Sequence, residues 1–227
     1  AIDRSVPLDL PPDAGSIHIP FSAEVRAQFV QLEFTSFLKM DLFEEDAPAA
    51  PQACAACRER VQVTDVDAFL RETEGVACFS AARLHEALYV CNGNKEFVLA
   101  PRRTLLDAGL PAEETARAAR ALFANKDATA ILYGKKNFRH YLRSCGAELC
   151  CRAEDVSLLK YLADYSGKDD DLEYALQSTG MDENAPAFGV LQLYKLFSEK
   201  LRAEGMGSLY RDVELPLSDV LFEMEEA

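Results

Sequence analysis

Between residues 61 and 151 the chain alternates short β-rich runs with helical stretches, and that order restricts it to few folds. Three β-rich runs come close together, at Gly75–Ser80, Glu86–Cys91 and Glu96–Leu99. The last two are separated by Asn92-Gly-Asn, a sequence typical of a β-hairpin. A strand–helix–strand unit and then further helices follow. The sequence therefore predicts an α/β fold with a mixed central sheet flanked by helices.

Capping signals and periodicity place the other elements. Thr64-Asp-Val-Asp67 has the pattern of a capping box and predicts a helix over Ala68–Glu72. Pro111, followed by two glutamates, predicts the first turn of an Ala-rich helix that ends near Asn125. The remaining predicted elements are strands at Val61–Val63, Thr129–Tyr133 and Glu148–Cys151, and helices at 22–39, Lys136–Ser144, 154–165, 170–178, 186–203 and from Ser208 to the end.

Charge limits the functions that the chain can have. The formal net charge of -14 argues against free-standing nucleic-acid binding, because phosphate binding draws its affinity from Lys and Arg side chains that release counterions. Basic residues nevertheless concentrate between Lys135 and Arg143. We favour a solvated helix face for this stretch, and a DNA-contacting patch is the alternative.

The seven cysteines do not form a convincing metal site. Cys54-Ala-Ala-Cys57 has the spacing of half a zinc site, and Cys150-Cys151 is the one pair that would complete it. Adjacent cysteines seldom chelate one ion, so we predict reduced thiols and no bound metal. Apolar runs are too short for a membrane span and the N-terminus lacks signal-peptide features. We predict a cytoplasmic monomer that does not associate with membranes.

Three segments resemble the motifs of a known nuclease domain. Gly75–Ala81 (GVACFSA), Ile131–Leu142 (ILYGKKNFRHYL) and Asp182–Leu193 (DENAPAFGVLQL) are similar to the three motifs of the 3′–5′ exonuclease domain of bacterial DNA polymerase I, an A-family polymerase. The run LYRDVELPLSDVLFEMEEA resembles the E-x-P-L-x-x-V-L-x-x-M-E helix that enters the polymerase body in that family. IDRSVPLDL and FVQLEFTSFLKMDL resemble the connection that leaves its 5′-nuclease domain.

The resemblance implies a ribonuclease H-like exonuclease fold and a division of the chain into three parts. Residues 1–58 are expected to form the tail, helix and linker that follow the 5′-nuclease domain. Residues 59–205 are expected to form a degenerate exonuclease-like domain, and 206–227 a helix leading into a polymerase domain. Pro216 should kink or delimit that helix. Its apolar face is expected to comprise Leu209, Val213, Leu217, Val220, Leu221 and Met224.

The resemblance also shows which residues are missing. The Asp-x-Glu of the first motif is replaced by Phe79 and Ala81, and the Asp of the second by Phe138. In the third motif, Asp182 stands in place of the Tyr and Pro186 in place of the Asp. Exonucleases of this family hold two divalent ions between these carboxylates, and magnesium prefers hard oxygen ligands. We therefore expect no catalytic metal, and we expect Phe79 and Phe138 to fill the site.

Two functions of different classes follow from these residues. The first is a fragment of DNA polymerase I whose inactive exonuclease-like domain acts as a scaffold for DNA replication and repair synthesis by the parent. Its expected partners are the polymerase and 5′-nuclease domains, with DNA bound through the parent and magnesium needed only by the parent polymerase. The alternative is a single-stranded DNA-binding module without cleavage. Its candidate contacts are Lys135, Lys136, Arg139 and Arg143, with Tyr133 and Tyr141 for stacking.

Overall fold

The computed structural model describes residues 59–102, 104, 109–163 and 171–227, together with scattered positions between residues 19 and 42. The chain divides into two compact units, Ala1–Gln52 and Ala53–Ala227. In the first unit, the rings of Phe34 and Phe37 lie 5.6 Å and 5.8 Å from the ring of Phe29, in edge-on geometry. Cys54 and Cys57, the half zinc site considered above, fall outside the described residues.

A mixed sheet forms the framework of the second unit. In the part of the chain that the structure describes, this sheet has six strands in the order β1-β4-β3-β2-β5-β6. Strands β2, β3 and β4 are antiparallel neighbours, β5 and β6 continue parallel to β2, and β1 pairs parallel with β4. The strands are β1 Glu59–Gln62, β2 Cys78–Leu84, β3 Ala87–Cys91, β4 Lys95–Leu99, β5 Thr129–Leu132 and β6 Arg152–Asp155. The predicted α/β class with a mixed central sheet is confirmed.

Helices cover both faces of this sheet. They are α1 Val66–Thr73, α2 Ala112–Phe123, α3 Lys135–Ser144, α4 Val156–Ala163, α5 Leu172–Thr179, α6 Pro186–Ala203, α7 Gly207–Leu209 and α8 Leu215–Glu226. Apolar residues of α1, α2 and α3 pack in one layer, and those of α4, α5 and α6 pack in the other. Because strand side chains alternate, Phe79 and Ala81 of β2 belong to the first layer and Ala82 to the second. No helix among the described residues is long and apolar enough to span a membrane.

The strand predicted at Gly75–Ser80 is observed at Cys78–Leu84, and two other elements differ from the predicted ones for local reasons. The strand predicted at Glu148–Cys151 lies instead at Arg152–Asp155, where it pairs with β5. The residues before it do not pair with β5, because the N–H groups of Cys150 and Cys151 both donate to the carbonyl of Phe123 at the end of α2. Helix α1 is capped by Asp65 rather than Thr64, and the Asp65 carboxylate accepts from the N–H groups of Asp67 and Ala68.

The kink or boundary predicted at Pro216 takes the form of a change in hydrogen-bond register, and the flanking residues keep helical dihedral angles. Immediately before Pro216, Tyr210–Glu214 widens into a π-helical turn, and the N–H of Leu215 donates to the carbonyl of Tyr210, five residues earlier. Proline has no N–H to continue the α-helical ladder, so a change of hydrogen-bond register at this point is expected. Helix α8 therefore begins as an element separate from α7.

The carboxylate of Asp155, at the end of β6, fixes the start of two helices. Its Oδ2 accepts from the N–H of Lys135 (2.8 Å), and its Oδ1 accepts from the N–H of Gly134 (3.0 Å). Oδ1 also accepts from the N–H (3.0 Å) and the hydroxyl (2.7 Å) of Ser157. Gly134, with φ of 72°, has no side chain to cap α3, so the cap comes from β6. Burial raises the pKa of Asp155, and these donors oppose that rise.

We expect Asp155→Ala to lower the free energy of unfolding by roughly 1–4 kcal/mol, because it removes the caps of two helices at once and each cap contributes about 0.5–2 kcal/mol. Asp171→Ala is the matched control, since Asp171 caps only α5 through the N–H of Tyr174. Chemical denaturation measures both. Equal losses for the two variants would contradict the double role of Asp155.

Candidate functional site

Three of the four positions predicted to have lost metal ligands lie together in the core. Phe79 and Ala81 of β2 and Phe138 of α3 are buried in the layer under α1–α3. The ring of Phe123 links them, since its centroid lies 5.4 Å from that of Phe79 and 5.4 Å from that of Phe138. The rings of Phe79, Phe123 and Phe138 form a continuous aromatic cluster with edge-on and tilted contacts in the layer between the sheet and α1–α3.

The fourth position lies elsewhere. Pro186 is the first residue of α6, and α6 packs on the opposite face of the sheet. The residues of β2 that face α6 are Ser80 and Ala82: the Ser80 hydroxyl donates to the carbonyl of Ala187 (2.6 Å), and Ala82 shares the apolar layer of α6. A shift of one residue along a strand exchanges its two faces. The structure therefore does not bring Phe79 and Ala81 together with Pro186.

The acids near the third motif are not gathered into a site. Asp182 and Glu183 are exposed in the turn before α6, and the Asp182 carboxylate accepts from the N–H of Asn184 (2.9 Å). Among the described residues, no group of three or more His, Cys, Asp and Glu side chains is arranged to hold a metal ion.

Sequence reasoning missed a buried acid of β4 that lies against the start of α6. Glu96 of β4 is fully buried, and its Oε2 accepts from the N–H of Phe188 (2.8 Å), while its Oε1 has no hydrogen-bond partner among the described residues. Burial raises the pKa of Glu96 to about 7, against the opposing effect of the backbone donors. The only signal in the sequence was a glutamate inside the apolar run Lys95–Leu99, and it did not identify a partner.

The basic residues predicted to contact DNA form one face of α3, and α8 covers that face. We call the ion pairs between the two helices the α3–α8 ion-pair network. The N···O distances are 2.8 Å for Lys135–Asp219, 2.7 Å for Lys136–Glu225, 3.0 Å for Arg139–Asp219, 2.7 Å for Arg139–Glu223, 2.9 Å for His140–Glu225, 3.0 Å for His140–Glu226 and 3.2 Å for Arg143–Glu226. The Lys136 ammonium and then His140 hold the pKa of Glu225 below its usual range.

Within this network, one aromatic side chain anchors α8. Phe222 is 2% exposed. The guanidinium of Arg139 lies 3.7 Å from the centroid of its ring, and the ring of His140 lies 4.7 Å away. On the other side of the C-terminal segment, the predicted apolar face is exposed; its members are Leu209, Val213, Leu217, Val220, Leu221 and Met224.

A groove of about 700 Å³ opens beside the network. Its walls include the start of α3, the start of α4, and α8, and they carry Tyr133, Lys136 and Asn137. The other end is closed by the turn between β2 and β3, where His85 and Glu86 both have positive φ, at 47° and 70°. A two-residue turn therefore joins β2 to β3. Tyr141, the second predicted stacking residue, lies under the guanidinium of Arg83 at 4.6 Å.

These features define a class before any relative is considered. The described part of the chain has an α/β fold in which a three-stranded antiparallel run is extended by three strands in parallel pairing, with helices on both faces of the sheet. No protein-family model matches the sequence, and no curated protein matches it.

Solved structures do resemble it. The POL domain of Pol1 from M. smegmatis, in complex with DNA primer-template and dNTP, is similar with a TM-score of 0.54 and 21% identity over 74% of this chain. This chain covers only 32% of that polymerase chain. Brucella melitensis NrnC, with or without bound Mg2+, is similar over 73% of this chain and 87% of its own, with a TM-score of 0.40 and 9% identity. At such identities the polymerase likeness establishes a shared fold.

We expect Glu96→Gln to flatten the dependence of stability on pH between about 4.5 and 7. The folded state holds the Glu96 proton up to about pH 7 and the unfolded state releases it near 4.5. The contribution of Glu96 to the free energy of unfolding is therefore fully present below pH 4.5. It decreases by at most about 3 kcal/mol as the pH rises from 4.5 to 7. Urea unfolding at several pH values measures the difference. Glu113→Gln, on the exposed surface of α2, is the control and should leave the slope unchanged.

Proposed function

We propose that this chain is a catalytically inactive exonuclease-like domain, with flanking segments, of a bacterial DNA polymerase I, and that it acts as a scaffold for DNA synthesis and repair by the parent. The observation that carries the proposal is the composition of β2, where neither face presents a carboxylate. Ser80 and Ala82 face α6, and Phe79 and Ala81 face the opposite layer. Whichever pair corresponds to the acids of an active exonuclease, neither of its members carries a carboxylate.

The residues present do not fit a pair of magnesium ions. Two-metal cleavage of a phosphodiester needs carboxylates that bridge the ions and activate a water. Here the one hydroxyl on the α6 side, that of Ser80, already donates to the Ala187 carbonyl. The second and third motifs contribute Phe138 and Pro186, which carry no ligand oxygen in their side chains. The domain therefore keeps the packed core of the fold without the carboxylates needed for phosphodiester cleavage. In this proposal, DNA synthesis is carried out by the polymerase domain of the parent.

The outer face of the C-terminal segment supports a scaffold role. Its apolar side chains are well exposed, with Val220 at 53% and Met224 at 69%. Contiguous exposed apolar surface marks an interaction site. We assign it to the polymerase domain of the same parent chain, because the similar M. smegmatis structure is a polymerase chain of which this chain covers about a third.

The single-stranded DNA-binding alternative is not favoured in this conformation. Each of its candidate contacts, Lys135, Lys136, Arg139 and Arg143, is ion-paired to α8. A phosphate backbone would have to displace these carboxylates before it could bind.

The nuclease part of the proposal is tested with a 3′-labelled single-stranded oligonucleotide. We expect no metal-dependent release of nucleotides when magnesium or manganese is titrated into the purified protein, because the positions that would ligate the ions carry no carboxylate. An active two-metal exonuclease serves as positive control. Cleavage that co-elutes with the protein and scales with its concentration would overturn the proposal.

The scaffold part is tested at Val220. In the isolated chain we expect Val220→Asp to change the free energy of unfolding by no more than about 0.5 kcal/mol, because the side chain is exposed. In the chain that continues into the polymerase domain, the same change should lower the melting temperature and the rate of primer extension. Ala121→Asp, on the exposed surface of α2, is the matched control and should affect neither. Equal behaviour of the two variants would argue against docking through α8.

A further inference from the structure

The inner face of α8 matches the basic face of α3 charge for charge. Five basic side chains of α3, from Lys135 to Arg143, meet four acids of α8, and all the N···O distances lie between 2.7 Å and 3.2 Å. Arg139 spreads its guanidinium over two carboxylates, those of Asp219 and Glu223. The same planar fork binds phosphate oxygens, so α8 presents to α3 what a nucleic-acid backbone would present.

Helix α8 is held on α3 by ion pairs and by one buried aromatic ring, with little contribution from the two apolar layers. Its anchor, Phe222, packs on the side chains of Arg139 and His140 and belongs to neither of the two apolar layers of the domain. From α8 only Leu215, its first residue, packs against a core layer. The π-helical turn Tyr210–Glu214 precedes α8, and its first residue is held by the domain: the Tyr210 hydroxyl donates to Glu154 (2.8 Å) and accepts from the N–H of Asp155 (2.8 Å).

We propose that the basic face of α3 is a binding site for the phosphate backbone of single-stranded nucleic acid and that α8 is its removable cover. The carboxylates of α8 occupy the positions that phosphates take when the cover is displaced. This inference does not rest on the scaffold proposal, because the observations behind it are the contacts between α3 and the inner face of α8.

The length of the acidic face of α8 limits the number of phosphates that can bind in its place. The acids Asp219, Glu223 and Glu226 lie four and three residues apart on α8, which spans about 10 Å at roughly 1.5 Å per residue. The uncovered face therefore accommodates a few phosphates, and the adjoining groove offers Tyr133 for stacking of a base. A site of three or four phosphate contacts gives a salt dependence with a logarithmic slope of about −2 to −3.

Tethering explains why the intact chain should bind weakly. An acidic helix joined to the domain competes at high effective concentration with any polyanion in solution. The net charge of -14 adds a general repulsion. Weakening the cover should therefore raise affinity more than adding positive charge elsewhere.

The test compares the full-length protein with two variants of α8. The first replaces Asp219 by Asn and Glu223, Glu225 and Glu226 by Gln. The second, Phe222→Ala, loosens the anchor and leaves every charge in place. We expect both variants to bind a labelled oligothymidylate at least tenfold more tightly than wild type at low salt, by fluorescence anisotropy, with the salt slope given above. An oligouridylate of equal length distinguishes DNA from RNA as the source of the phosphates.

The matched control neutralises four exposed acids outside α3 and α8. These are Glu74, Glu113, Glu199 and Glu204, each replaced by Gln, so that the net charge changes by the same amount. Adding Lys136→Glu to Phe222→Ala should reverse the gain, and circular dichroism reports whether each variant is folded. If one α8 variant does not fold, the other decides. Affinity no higher than that of the control, or a gain that survives Lys136→Glu, would overturn the proposal.

Discussion

The carboxylate of Asp155 is the contact from which the arrangement of this domain follows. It accepts from the N–H groups of Gly134 and Lys135 at the start of α3 and from the N–H of Ser157 at the start of α4. Both helices therefore start at the edge of the sheet where β6 ends. The N–H of the same residue donates to Tyr210, which holds the C-terminal segment at that edge. One strand end thus positions the basic helix, the groove beside it and the helix that covers it.

The parts of the fold that depend on local sequence were predictable. The hairpin at Asn92 and the helix over residues 186–203 were both identified, because turn chemistry and apolar periodicity are written within a few residues. Pairings over long distances were not. The partners in the α3–α8 ion-pair network are about 80 residues apart, and no spacing rule connects Arg139 with Asp219. Strand β6 was displaced because the carbonyl of Phe123 holds the run before it.

The candidate site shows a sharper limit of sequence reasoning. Phe79 and Ser80 are adjacent in the chain, yet they belong to opposite faces of the sheet. An alignment that is uncertain by one residue therefore cannot say which of them faces α6. The inference that survives is the one that does not depend on register, namely that β2 offers no carboxylate on either face. Glu96 remained hidden for a related reason, because its environment is made by the start of α6, some 90 residues later.

Helix α8 has two dissimilar faces, and that has a thermodynamic consequence. Its outer face is apolar and its inner face is acidic, so a ligand on either side changes the free energy with which the helix is held. Binding at the two faces is then linked and reciprocal. A protein surface that holds α8 against α3 lowers the affinity of α3 for polyanions by some factor, and a bound polyanion lowers the affinity of that protein surface for α8 by the same factor. A single helix of twelve residues would thus couple a protein contact on its outer face to polyanion binding on the face of α3 that it covers.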